Sequence, residues 1–100
     1  MSRRPLSPTE VVTRLSTLGN GWTLSGSDSD TAIEKSFAFT DFHQTMAFVN
    51  AVAFIAHRMD HHPDLSVHYG RCVVRFNTHS VQGLSDLDFE AAASVDALLA

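Results

Sequence analysis

The spacing of apolar residues divides the chain into helical and extended stretches. Val11, Val12, Leu15 and Leu18 recur at the interval of a helix face. Ser7-Pro8-Thr9-Glu10 supplies the start. Ser7 caps, Pro8 suits the first helical position, and Glu10 stands where a carboxylate reaches back to the cap. Gly19-Asn20-Gly21 ends this helix, and Trp22-Thr23-Leu24 opens an extended segment. Gly26 to Asp30 reads as a turn. Ile33, Lys35, Phe37 and Phe39 then alternate with Ala32, Glu34, Ser36 and Ala38, which predicts a strand with its aromatics toward the core. The two extended segments form a hairpin.

Asp41 is a cap for a second helix, with Gln44 three residues on. Phe42, Met46, Val49, Ala53 and Ala56 form its expected inward stripe. Ala47, Phe48, Val52, Phe54 and Ile55 make much of the remainder apolar, so the helix is expected to be central and buried on more than one side, against the sheet and a partner subunit. Pro63 limits its extent. Leu65 to Tyr69 predicts a short strand and Gly70-Arg71 a tight turn. Cys72, Val74 and Phe76 alternate with Val73, Arg75 and Asn77 in a further strand. His79 to Leu84 reads as loop, and Ser85 with Asp88 as the capping box of a last helix whose inner face carries Phe89, Ala92, Ala93 and Leu99. The order is α-β-β-α-β-β-α. Hairpin pairing favours an α+β fold, a four-stranded antiparallel sheet with helices packed on one face.

Composition narrows the setting. One hundred residues suit a single domain over 1–100, and 44% hydrophobic with 18% charged residues suits a folded chain. The net charge of -4 argues against nucleic acid as a ligand, since phosphate contacts need clustered Lys and Arg. Arg3 and Arg4 are expected to be solvated tail. The lone Cys72, inside a strand, reads as a buried, inert thiol, consistent with a reducing compartment. Met1 to Glu10 lacks the apolar core of a signal peptide, and Met46 to Ala56 falls short of a membrane span, so the expected location is cytoplasmic.

The chemistry concentrates in His57-Arg58-Met59-Asp60-His61-His62-Pro63, where the long helix gives way to a strand. Histidine exchanges protons near neutral pH. His57 and His61 have the i, i+4 spacing of metal ligands, but Arg58 replaces the Glu of a zinc-protease motif and no cysteine lies nearby; no metal is expected. The plainer reading of the run is a polar helix end whose imidazoles meet the last carbonyls. Taken alone, His79 is a loop residue and Asp88 a capping carboxylate.

His57-x3-His61-His62-Pro63, followed by Tyr69, His79 and Asp88, resembles the signature of the pterin-4a-carbinolamine dehydratases. Leu18 with Gly21-Trp22, Phe37-x-Phe39-x-Asp41-Phe42 and Gly83-Leu84-Ser85-x-x-Asp88 extend the resemblance from Trp22 to Ala93. It implies a lyase that dehydrates 4a-hydroxytetrahydrobiopterin to quinonoid dihydropterin and water, recycling tetrahydrobiopterin for aromatic amino acid hydroxylases. It also implies a homodimer or homotetramer that needs no cofactor. His61, His62 and His79 fall on the family's catalytic histidines and Asp88 on their acidic partner, with Asp88 expected to orient His79. His57 stands where several relatives carry Glu, and Ser80-Val81 follows His79 without a cysteine. The chemistry agrees. Losing hydroxide from a carbon beside a ring nitrogen requires one proton delivered and one removed, and imidazoles do both. The rival is a non-catalytic binding or assembly protein on the same fold, as in relatives that serve as dimerisation cofactors.

Overall fold

The computed structural model describes residues 4–100. Its elements are α1 (Pro8–Thr17), β1 (Thr23–Ser25), β2 (Ala32–Ala38), α2 (Phe42–Met59), β3 (Asp64–His68), β4 (Arg71–Phe76) and α3 (Asp86–Ala97), with single 3-10 turns at Asp28–Asp30 and His79–Val81. The α-β-β-α-β-β-α order is the expected one. The strands form one antiparallel sheet in the order β1-β2-β4-β3.

Register explains which face is covered. Ile33 pairs with Phe76, Lys35 with Val74 and Phe37 with Cys72, so these side chains share one face. Ile33, Cys72, Val74 and Phe76 are fully enclosed there with Phe48 and Val52 of α2 and Ala91, Ala92 and Val95 of α3. Each such aliphatic or aromatic side chain contributes roughly 1.5–3 kcal/mol by leaving water. Burial also pushes the Cys72 thiol pKa up, in keeping with an inert role. Lys35 belongs to the same face. It runs beside Phe37 with its ammonium 4.9 Å from the ring and pairs with Asp96 at 2.8 Å, whose other oxygen accepts from Trp22 Nε1 at 2.9 Å. This clasp fastens the end of α3 to β2 and Trp22.

Several expectations need correction. The buried face of α2 is Thr45, Phe48, Val52 and Ala56, while Phe42 and Phe54 are exposed. Thr45 can be buried despite being polar because its hydroxyl lies within hydrogen-bond reach of the carbonyls of both Asp41 and Tyr69, which share its one hydrogen. Asp41 caps α2 through Gln44 N–H at 2.8 Å, but the Gln44 side chain accepts from Thr40 instead of completing a box. Val12 on α1 and Ala93 and Leu99 beyond the inner face of α3 are exposed. β3 starts and ends one residue earlier than expected, and its turn is Tyr69-Gly70. A side chain at Gly70 would meet the Phe39 carbonyl at 2.9 Å, which explains the glycine. Arg4 is no free tail, since it grips Glu10 through two hydrogen bonds of 2.6 and 3.1 Å; Arg3 lies outside the described residues. Among the described residues no helix is long and apolar enough to cross a membrane.

Candidate active site

The histidine run takes its shape from how α2 stops. Asp60 adopts a left-handed conformation (φ 50°), and its N–H bonds back to His57 O while His61 N–H bonds to Ala56 O at 3.1 Å. This pair of backward bonds is a helix-ending motif that usually employs glycine. It means that backbone amides, not imidazoles, satisfy the last carbonyls. It also breaks the i, i+4 relation. His57 stays on the helix, exposed, whereas His61 turns inward and is only 5% exposed.

His61 enters a corner between β4 and α3. Its ring lies parallel to Phe76 at 5.9 Å between centroids. Nε2 meets Asp88 Oδ1 at 2.6 Å, and Asp88 is wholly buried. The other carboxylate oxygen, Oδ2, accepts from Thr78 Oγ1 at 2.8 Å and from Ser85 N–H at 2.9 Å. The last bond is the return half of the α3 capping box, with Asp88 at its third position. Thr78 Oγ1 and Ser85 Oγ are 2.7 Å apart. A carboxylate only accepts, so Thr78 donates its single proton to Asp88 and Ser85 donates to Thr78. By the same count His61 carries a hydrogen on Nε2, and Nδ1 is the nitrogen left for other partners.

Beyond this corner opens a cleft of about 310 Å³ lined by Asp60, His61, His62, Asn77, His79 and Ser80. His62 and His79 are exposed at it. His79 begins the 3-10 turn that follows Thr78, a turn fastened by mutual backbone bonds between Thr78 and Gly83. The fold thus brings His61, His62 and His79 to one cleft and sets Asp88 behind His61. It does not bring in His57, which is not among the lining residues. Nor does Asp88 orient His79, as the sequence reading expected; its two oxygens are taken by His61, Thr78 and Ser85. Sequence reasoning missed Thr78, Asn77 and Asp60. A polar pair ahead of His79 carries no periodic signal. Among the described residues, no three His, Cys, Asp or Glu side chains are grouped to hold a metal.

Comparison with known proteins places the chain and its fold among relatives. Residues 4–98 match the family model described as pterin 4 alpha carbinolamine dehydratase. A Paracidovorax citrulli protein, provisionally named pterin-4-alpha-carbinolamine dehydratase, is 63% identical over 99 residues, covering 99% of this chain and 84% of that protein. The crystal structure of a transcriptional coactivator/pterin dehydratase from Brucella melitensis superposes with a TM-score of 0.87 at 33% identity, covering 98% of this chain and all of that one. A pterin dehydratase-like protein identified as a RuBisCO assembly factor of the alpha-carboxysome superposes with a TM-score of 0.67 at 25% identity, covering 79% and 89%.

Proposed function

The chain belongs to the pterin 4 alpha carbinolamine dehydratase family, and we propose that it removes water from 4a-hydroxytetrahydropterin to give quinonoid dihydropterin by histidine acid–base catalysis. The observation that carries this reading is the buried His61–Asp88 bond at the inner end of a cleft that also presents His62 and His79. The C4a hydroxyl needs a proton to leave as water, and N5 must give one up. In this reading Asp88 fixes the plane and tautomer of His61, so that Nδ1 is aimed at the substrate. His62 and His79, in contact with solvent, carry protons to and from the reacting end. Positioned imidazoles of this kind contribute on the order of 10²–10⁴-fold each.

In this reading the protein acts in the cytoplasm, without metal or organic cofactor, on pterins used by an aromatic amino acid hydroxylase. It works as a homodimer or homotetramer. The exposed Phe42 and Phe54, the latter 63% exposed, support self-association of α2. The same apolar residues favour the second reading, a binding or assembly role on this fold.

The test is dehydration of freshly generated 4a-hydroxytetrahydropterin, followed optically above the spontaneous rate. Wild type should accelerate it, and His62→Ala and His79→Ala should each lose roughly 10²-fold or more. A wild-type rate equal to background overturns the catalytic reading in favour of the assembly one.

A further inference from the structure

The loop that carries His79 serves two cavities. His79 and Ser80 line the histidine cleft, whereas the next four residues, Val81 to Leu84, line another cavity of about 340 Å³. That volume lies at the lower end of the range of ligand pockets, roughly 300–1,000 Å³. The remaining wall is largely aliphatic, with Leu6, Val11, Val12 and Leu24, and Val12 and Leu24 stay exposed. Leu6 N–H donates to the Leu84 carbonyl at 2.9 Å and ties this wall to the loop. Among the described residues three that are not glycine have positive φ: Asp28 (52°), Asp60 (50°) and Gln82 (54°). Asp60 lines the histidine cleft, and the other two line this cavity. Residues with side chains adopt that conformation rarely, and it collects where ligands are gripped. Asp28 is the one charged residue in the wall, and its carboxylate has no hydrogen-bond or ion-pair partner among the described residues. Gln82 N–H donates to the His79 carbonyl at 3.1 Å, so a shift of this wall is a shift at His79.

We propose that this cavity is a regulatory site for a small amphipathic amine, its hydrocarbon ring among Leu6, Val12, Leu24 and Leu84, its ammonium on the Asp28 carboxylate, and His79 the residue whose position it governs. The effect on rate rests on the dehydratase reading above; the site itself does not. An aliphatic wall takes a ring because both leave water. A single carboxylate selects a cation over a neutral or acidic analogue, because hydrogen bonds between ionised groups are the stronger kind. A ring in the cavity packs against the side chains that back the loop. The loop is otherwise held by the mutual bonds of Thr78 with Gly83 and the bond from Gln82 to His79. Backed in this way, His79 keeps one position relative to His61 and His62, and proton transfer gains from fixed geometry.

The probe is 2-phenylethylamine, a cation at neutral pH, set against 2-phenylethanol and 3-phenylpropionate. Backbone amide NMR titration of the full chain gives each Kd and reports on His79 directly, and steady-state dehydration is measured with and without the amine. Wild type should bind the amine roughly tenfold more tightly than the alcohol or the acid, with shifts at Leu24, Gly83 and His79. At saturation kcat should rise roughly fivefold. Asp28→Asn keeps a residue that tolerates left-handed backbone, and should bind amine and alcohol alike with no rise in kcat. Val12→Trp, at a position already 64% exposed, should obstruct the cavity and abolish binding, with circular dichroism and thermal unfolding showing that it is folded. Wild type that does not bind the amine overturns the proposal, as does equal binding by a folded Asp28→Asn. Binding with no shift at His79 and no rise in kcat overturns the coupling. Inhibition competitive with the pterin would put the amine in the histidine cleft and overturns the site. Asp28-dependent binding that moves His79 in a wild type unable to dehydrate the carbinolamine upholds the site and overturns the dehydratase reading instead.

Discussion

Helices α1 and α3 begin with the same device in two different environments. At α1, Ser7 N–H donates to Glu10 Oε1 at 3.0 Å and Glu10 N–H returns to Ser7 Oγ at 3.2 Å. The remaining capacity of Glu10 goes to Arg4, in water. At α3, Ser85 and Asp88 form the same box, but both are fully buried and the spare carboxylate oxygen holds His61. On the surface each of these bonds replaces one to water, so the net gain is small and salt weakens it. Inside, the alternative to each bond is an orphaned charge or hydroxyl, so the whole set stands or falls together. A capping motif thus becomes a fixture for a site only when burial removes water as a competitor.

The comparison breaks most severely at Asp88. Asp88→Ala should lower stability by about 3 kcal/mol or more, because it strands Thr78, Ser85 N–H and His61 at once. Asp88→Asn keeps the shape but supplies a donor where only acceptors fit, and should cost dehydration on the order of 10²-fold. Urea unfolding and the optical assay read the two effects separately. A variant with wild-type rate would detach the box from the site.

Thr78→Val comes next. It removes the hydroxyl that links Ser85 to Asp88 and should cost about 1–3 kcal/mol, with Thr78→Ser restoring most of it. A loss in the Ser variant with none in the Val variant would show that the methyl packing matters and the hydroxyl does not.

The smallest effect belongs to the exposed box. The Arg4 guanidinium and the Ser7 amide hold the Glu10 carboxyl at about 2 instead of 4.5. A lowered folded-state pKa gives stability that is present above 4.5 and is lost as pH falls from there toward 2. Wild type should therefore lose its melting-temperature advantage over Glu10→Gln across that window, less so in high salt, with the dehydration rate of both the same near neutral pH. A gap between the two that is constant with pH would count against the ion pair.

Much of this was legible in the residues. Ser7, Asp41 and Ser85 mark the three helix starts because capping is a contact between near neighbours in sequence. The alternation through Ile33 to Phe37 and Cys72 to Phe76 marks the central strands because side-chain direction has a period of two. The buried face of α2 was misread because its apolar content runs nearly all round, and Thr45, Phe48, Val52 and Ala56 form it in place of the expected Phe42, Met46, Val49, Ala53 and Ala56 stripe. The histidines were found as a cluster by their spacing, but their separate duties were not. A single left-handed residue, Asp60, parts His57 from His61, and sequence periodicity carries no trace of such a reversal.

By itself the sequence determined the element order, the hairpin pairing, the helix starts and the family, since each depends on local spacing or on motifs in fixed order. The tertiary structure decided which imidazole Asp88 holds, that Thr78 joins that network, that His61, His62 and His79 line one cleft, and that His57 stands outside. Those facts depend on which groups lose water when α3 and the end of α2 close over β4, and burial at that junction is a property of the packed molecule, not of any one segment.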